Sequence, residues 1–339
     1  MGSILLGFAL LAASALLTYG LIRFLFPLME RYALARPNAR SSHVTPTPQG
    51  AGIAVLASLV IVVALALLIM PLPGDAAWRL AGVLAAAVAM GIVGAIDDIR
   101  PLPVTPRLVA QFLGVAVVLA CLGDGARVLP DWVPLNLERV LLALGMVWFI
   151  NLTNFMDGID WITVVAVIPV AIGVVFLQAF IDVETSVSLV ALALGGAMLG
   201  FAPYNRYRAK LFLGDVGSLP IGLLLAWMLV SVAAAGQPTA ALLLPLYYVC
   251  DATATLYRRL RKGEKLAEAH RSHFYQMAVD RNGFTVPEVT ANIFMLNVFL
   301  AGLACLSASM DDVVIDAICL LAGGFATAAV LRSFARGRA

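Results

Sequence analysis

Four short polar stretches in an otherwise apolar chain have the residue types and spacing for chemistry: Asp97-Asp98, Asn151 to Asp160, Lys210 to Ser218, and His270-Arg-Ser-His273. Adjacent carboxylates repel, so one of the pair Asp97 and Asp98 takes up a proton unless a cation neutralises it, and either state suits a base or a metal ligand. Asn151, Asn154 and Asp157 recur every third residue, which puts them on one stripe at the end of a helix; Gly158 then breaks that helix before Asp160. Asp215 sits between Gly214 and Gly217, where it can cap the helix that follows while the glycines admit a ligand. A helix start with Lys210 ahead of it is a ready phosphate site. His270, Arg271 and His273 fit phosphate better than metal, because the metal suited to this oxygen-rich set is a hard cation.

Each feature also has a plainer reading. Capping alone accounts for a helix-start Asp such as Asp215, and Asp311-Asp312 repeats the Asp-Asp pair with no chemical company, as a mark of a helix start where the dipole favours anions. The basic run Arg258, Arg259, Arg261, Lys262 and Lys265 is expected to face anionic lipid headgroups. The segment from Arg36 to Gly52 is rich in turn formers, and Pro46, Pro48, Gly50 and Gly52 bring N–H groups together in a way suited to an anion or a loop cap. Cys121, Cys250, Cys305 and Cys319 are scattered singly through apolar runs and read as small core hydrophobes.

The elements that must position these groups are membrane helices. The chain is 62% hydrophobic and only 12% charged, outside the range of a soluble domain. Apolar runs long enough to cross a ~30 Å hydrocarbon core number about eleven, with ten allowed. They lie near Ser3–Pro27, Gln49–Met70, Trp78–Ile96, Thr105–Leu122, Arg139–Ile150, Trp161–Ile181, Ser186–Tyr204, Val216–Ala235, Thr239–Tyr257, Val289–Ala308 and Val313–Ser333. The fifth is short, and its start is open to extension by several residues.

Basic residues set the expected orientation. With the loop after the first run in the cytoplasm, only Arg79, Arg127 and Arg139 of the 22 lysines and arginines fall outside. The positive-inside rule then predicts an external N-terminus and a cytoplasmic C-terminus. All four polar stretches and all three histidines land on the cytoplasmic side, whereas the outer loops carry no convergent chemistry. The chain reads as a single polytopic domain over residues 1–339 with a larger cytoplasmic loop at about 258–288, and nothing in it suggests a nucleic-acid partner.

Five carboxylates on one face, Asp97, Asp98, Asp157, Asp160 and Asp215, mixed with Lys210, Arg271 and two histidines, describe a site for phosphates and a divalent cation. Oxygen donors without cysteine favour Mg²⁺, or Mn²⁺, over zinc. Phosphoryl transfer needs this kind of charge neutralisation. A competing class is a transporter or lipid flippase, although transporter carboxylates lie near the bilayer midplane in broken helices, whereas these lie at helix ends. A structural lipid-binding scaffold leaves the five carboxylates unexplained.

Pro37-Asn-Ala-Arg-Ser-Ser-His43 with Pro46-Thr-Pro-Gln-Gly50, Asp97-Asp98, Asn154-Phe-Met-Asp-Gly-Ile-Asp160, Phe212-Leu-Gly-Asp-Val-Gly-Ser218 and His270-Arg-Ser-His-Phe-Tyr-Gln276 resemble the polyprenyl-phosphate N-acetylhexosamine-1-phosphate transferases, in family order over most of the chain. The resemblance implies a glycosyltransferase family 4 type enzyme of the bacterial inner membrane. It implies that a UDP-N-acetylhexosamine gives its sugar-1-phosphate to undecaprenyl phosphate, with release of UMP and a need for Mg²⁺. It assigns Asp215, with Asp157, to the metal, Asp97 to deprotonation of the lipid phosphate, and Asp98 to its assistance. Asn154, Asp160, Lys210, Phe212, His270, Arg271, His273, His43 and Thr47 are carried over as substrate contacts, Phe212 against the uracil. The branch most resembled begins O-antigen or other surface polysaccharides; the cell-wall branch that takes UDP-MurNAc-pentapeptide is the alternative. No lysine precedes the Pro-Thr motif, and the histidine cluster has two members where the family has three. A homodimer is left open.

Overall fold

The computed structural model describes residues 2–35, 46–123, 125–265 and 270–337. His43, and most of the loop that carries it, lie outside them. The described chain is helical throughout apart from a two-stranded ribbon, β1 (Leu34–Ala35) and β2 (Thr47–Pro48), paired antiparallel with Ala35 opposite Thr47. The helices are α1 (Gly2–Tyr32), α2 (Gly52–Ile69), α3 (Gly74–Ile99), α4 (Val104–Ala120), α5 (Leu135–Met156), α6 (Ile162–Leu177) and α7 (Thr185–Asn205). They continue as α8 (Asp215–Ala234), α9 (Pro238–Leu243), α10 (Leu246–Arg261), α11 (Phe274–Asp280), α12 (Val286–Met310) and α13 (Val313–Arg336).

Eight of the described helices are long and apolar enough to cross a membrane, and the protein is an integral, multi-pass membrane protein. α4 and α6 are apolar but shorter. Every apolar run expected from the sequence contains helix. The fifth begins at Leu135, earlier than its apolar core, because Pro134 starts the helix ahead of that core. The ninth is corrected: a continuous Thr239–Tyr257 helix is replaced by α9 and α10, broken at Leu244 and Pro245, where proline has no N–H to continue the ladder.

α8 is the pillar of the fold. It packs against α2, α3, α5 and α9 and is buried along most of its length, while α1 lies on α7, and α12 on α6 and α13. Close approach at its start depends on missing side chains. A Cβ on Gly52 would lie 2.2 Å from the Gly217 nitrogen, so α2 and α8 touch backbone to backbone. The glycines around Asp215 therefore admit a neighbouring helix rather than a ligand, which corrects the expectation for Gly217.

The loops expected outside are not bland. Buried Glu138 takes Arg127 Nε at 2.5 Å and the Val128 N–H at 2.7 Å, and Arg139 Nη2 donates to the Ala126 carbonyl. Arg79 bridges Asp75 and Glu184 beside a polar cavity of about 270 Å³. All three cations assigned to that side serve to tie loops down.

Candidate active site

The site forms where the ends of α3, α5 and α10 meet the start of α8. Asp97 and Asp98 occupy the last turn of α3, and their roles separate at once. Asp97 accepts the Leu102 N–H at 2.5 Å and pairs with Arg107 at 2.8 Å, which also anchors the turn into α4. Asp98 reaches across the fold to the start of α8. Its two oxygens accept the N–H groups of Asp215 at 3.0 Å and Val216 at 3.1 Å.

That bond overturns two expectations. Asp215 does not cap its own helix: it is the first helical residue, and Asp98 satisfies the orphan N–H groups from α3. Nor is the α8 N-terminus an open phosphate site, since a carboxylate already occupies it. Gly214 is required here, with φ of 77° and a would-be Cβ only 2.6 Å from Asp98 Oδ2. The N–H groups of Gly50, Ala51 and Gly52, read as suited to an anion, are likewise spent, on the carbonyls of Phe212 and Leu213. Thr47 is buried in the ribbon, and Gln49 bridges Phe212, so the base of the first loop is clamped to the segment that delivers Asp215.

Relieved of capping, the Asp215 carboxylate accepts from Asn154 Nδ2 at 2.7 Å, and the same amide reaches Ser218 Oγ at 2.9 Å. Asp97, Asp98 and Asp215 lie close enough to act on one another electrostatically. Three carboxylates thus share the company of one paired guanidinium, Arg107. Such a set requires a proton or a cation. Among the described residues no three His, Cys, Asp or Glu side chains form a ready-made metal cage. Magnesium fits this donor set all the same, because it is bound by one or two carboxylates with water and phosphate oxygens filling its octahedron. Asp215 is the residue that would hold it; Asp157, the second ligand that the resemblance assigns, accepts from Thr163 Oγ1.

Asp157 caps the C-terminal end of α5 and accepts Thr163 Oγ1 at 2.5 Å. Its surroundings strip it of water and push its carboxyl up to about 6, with Asp98 and Asp160 adding negative charge nearby. Asp160 has a different task. It is buried and takes the Ala209 N–H at 2.9 Å, which holds the segment leading to Phe212 and Asp215. Trp161 follows it in the left-handed region at φ 67°, held by Asn205 through its N–H. Lys210 is exposed, and Phe212 is half-buried.

The histidine segment departs further from expectation. Arg271 forks onto Asp280 at 2.8 and 2.7 Å, so a phosphate on its guanidinium would share it with that carboxylate. His270 and His273 stack with ring centroids 5.0 Å apart. The residue that arranges them is Asp251 on α10, fully buried, which accepts from His273 Nδ1, from the N–H groups of Phe274 and Tyr275, and from Tyr247. That partnership places the histidine proton on Nδ1 and leaves Nε2 as the acceptor. Asp251 lies within an apolar run and escaped the reading of the sequence; Tyr247 and Thr255, four residues to either side on the same helix face, were the signal. Arg258 and Arg259 also leave the lipid-facing run. Arg258 stacks on Phe274 at 3.9 Å, and Arg259 is buried against Glu264.

A cavity of about 550 Å³ opens beside these groups. At one end are Arg107, Asn154, Asp157, His270, His273 and Gln276; at the other are Leu108, Phe112, Leu144, Val147 and Trp148. Gln111 and Asn151 exchange hydrogen bonds between the two ends, fastening α4 to α5. An amphiphile with a polar head and an apolar tail fits such a lining.

With this geometry in place, the comparisons with known proteins converge. Residues 80–233 match the family model described as glycosyl transferase family 4. The chain is 31% identical over 280 residues to the decaprenyl-phosphate N-acetylglucosaminephosphotransferase of Mycobacterium tuberculosis, covering 72% of this chain and 68% of that protein. It is 28% identical over 281 residues to the undecaprenyl-phosphate alpha-N-acetylglucosaminyl 1-phosphate transferase of Salmonella typhi, covering 79% and 74%. A shorter match, 35% over 125 residues, is to the phospho-N-acetylmuramoyl-pentapeptide-transferase of Enterococcus faecalis, covering 37% of this chain and 38% of that protein. The chain belongs to the glycosyl transferase family 4 group of polyprenyl-phosphate N-acetylhexosamine-1-phosphate transferases.

Proposed function

We propose that this protein transfers an N-acetylhexosamine-1-phosphate from a UDP-sugar to undecaprenyl phosphate at the cytoplasmic face of a bacterial inner membrane, releasing UMP. The observation that carries the reading is the two-ended cavity. Its apolar wall on α4 and α5 suits the isoprenoid tail, and its polar end lies beside the carboxylates of α3 and α8.

Within that cavity Arg107 is the cation nearest the carboxylates. An incoming lipid phosphate competes with Asp97 for it, and the carboxylate so released is free to accept the phosphate proton. Asn154 holds Asp215 in place, and His273, oriented by Asp251, offers Nε2 as an acceptor to a sugar hydroxyl. Magnesium held by Asp215 would neutralise the charge that builds on the transferring phosphoryl group. The donor sugar is assigned to UDP-GlcNAc or a 6-deoxy relative by the surface-polysaccharide branch; the pentapeptide donor remains the second reading, supported by the shorter Enterococcus match.

Purified protein with undecaprenyl phosphate and a panel of UDP-sugars tests this by UMP release. EDTA is expected to stop turnover and Mg²⁺ to restore it, with Asp215→Asn inactive. Turnover of the pentapeptide donor alone would reassign the branch, and silence with every UDP-sugar would sink the transferase reading. Orientation has its own check: a cysteine replacing exposed Asp131 is expected to label from outside, and a C-terminal reporter to read as cytoplasmic.

A further inference from the structure

A second large cavity, of about 650 Å³, lies between α6, α7 and α12, and of the five carboxylates it meets Asp160 but not Asp97, Asp98, Asp157 or Asp215. Its walls are apolar, with Val164, Ile168, Leu199, Pro287 and Phe294 among them, and its mouth holds Arg206 and Tyr207. All these residues sit at the same ends of their helices, the ends that meet the active site. The stretch from Trp161 to Ile168 spans ~10 Å at 1.5 Å per residue, within the ~15 Å of half a hydrocarbon core. The groove therefore has the polarity and the depth of a single leaflet.

Its mouth is basic. Arg206 is exposed and makes no ion pair among the described residues, and Arg208 stands over the Tyr207 ring at 6.0 Å. Asp160 also lines the groove, but it is buried and accepts the Ala209 N–H. None of Asp97, Asp98, Asn154, Asp157 or Asp215 borders this space. A lipid phosphate seated here cannot meet the groups of the reaction.

We propose that this groove binds one anionic phospholipid of the surrounding bilayer, its acyl chain along α6 and α12 and its headgroup phosphate on Arg206. The occupant is a fixed structural lipid and not the polyprenyl acceptor. It bears on the reaction only at a distance, because Arg206 begins the segment that Asp160 and Asn205 pin in place and that runs directly into Phe212 and Asp215.

The test is native mass spectrometry of the full chain, in detergent, with equal amounts of phosphatidylglycerol and phosphatidylcholine bearing the same chains. Wild type is expected to retain the anionic lipid roughly fivefold over the zwitterionic one, the effect of about one favourable cation at a membrane surface. Arg206→Gln should bring the two lipids to parity, and Arg206→Lys should restore the preference. Ala291→Trp, which fills the groove from an exposed lining position, should reduce retention of both lipids. Gel filtration shows which variants are folded, and the arginine pair suffices if the tryptophan variant is not. Parity in wild type, or a preference that survives Arg206→Gln, would overturn the proposal. Displacement of the anionic lipid by equimolar polyprenyl phosphate would do so too, by giving the groove to the acceptor.

Discussion

The chain contains the pair Asp-Asp twice, and the two copies do opposite things. Asp311 and Asp312 lie between α12 and α13. Asp312 accepts the N–H groups of Val314 and Ile315 and so caps the helix it begins, while Asp311, in the left-handed region at φ 46°, takes only Gln237. Asp97 and Asp98 lie at the end of a helix, where the dipole disfavours anions. They persist there because their partners come from elsewhere. Asp98 caps α8, 117 residues away in sequence, and Asp97 is held by Arg107 of α4. The lesson is that a carboxylate's role follows from whose backbone it satisfies. A local cap frees nothing, whereas a borrowed cap releases Asp215, the natural cap of α8, to meet Asn154.

The sharpest way to break the contrast is at Asp97. Asp97→Asn keeps the shape but removes the charge that faces Asp215, and transfer is expected to fall about a thousandfold, ~4 kcal/mol in the barrier. Full turnover in a UMP-release assay would make the inner pair as inert as the outer one.

Asp98→Asn comes next. One amide oxygen still accepts an N–H from α8, but the amide nitrogen faces the second donor. Activity should drop about a hundredfold, and the detergent melting midpoint should fall by a few degrees, as for loss of a helix cap. A drop in activity with no change in midpoint would instead mark Asp98 as a group acting directly on substrate.

A smaller effect is expected at Asp157. Burial pushes its folded carboxyl up to about 6, above the ordinary aspartate range, so the fold binds this proton more tightly than the open chain does. The stabilisation from that proton is complete below the unfolded value and is lost as pH rises through about 6. Asp157→Asn, neutral at every pH, is therefore expected to melt higher than wild type at pH 8, with the gap closing towards pH 5. A gap that is the same at both pH values would show that desolvation of Asp157 is not the cause.

The smallest effects belong to the outer pair. Asp312→Ala removes a cap worth ~1 kcal/mol and should lower the midpoint slightly, with transfer unchanged. Asp311→Asn should alter neither measurement. Any loss of turnover in these two variants would join the far ends of the helices to the reaction and erase the distinction between the pairs.

Much of the architecture is written in composition and period. Long apolar runs must become helices in lipid, since a spanning segment has no other way to satisfy its own N–H and C=O groups. That constraint is local, so helix existence is legible, as is the polar stripe of Asn151, Asn154 and Asp157 at the end of α5. The break at Pro245 is legible only in hindsight, because proline is tolerated within α6, α7 and α8. Whether it interrupts a membrane helix depends on what packs around it.

The sequence by itself determined an apolar, multi-helical membrane protein with carboxylates, amides and histidines gathered at helix ends, because residue type and helical period are properties of neighbours along the chain. Tertiary structure alone decided which of those groups are free. Arg271 is given to Asp280, Asp160 to the Ala209 N–H and Asp98 to the start of α8, while Asp251, hidden in an apolar run, became the hub of the histidine segment. Each of those outcomes rests on a partner brought in by folding. A buried charge is set by the donor that meets it in space, and spacing along one helix carries no record of that donor.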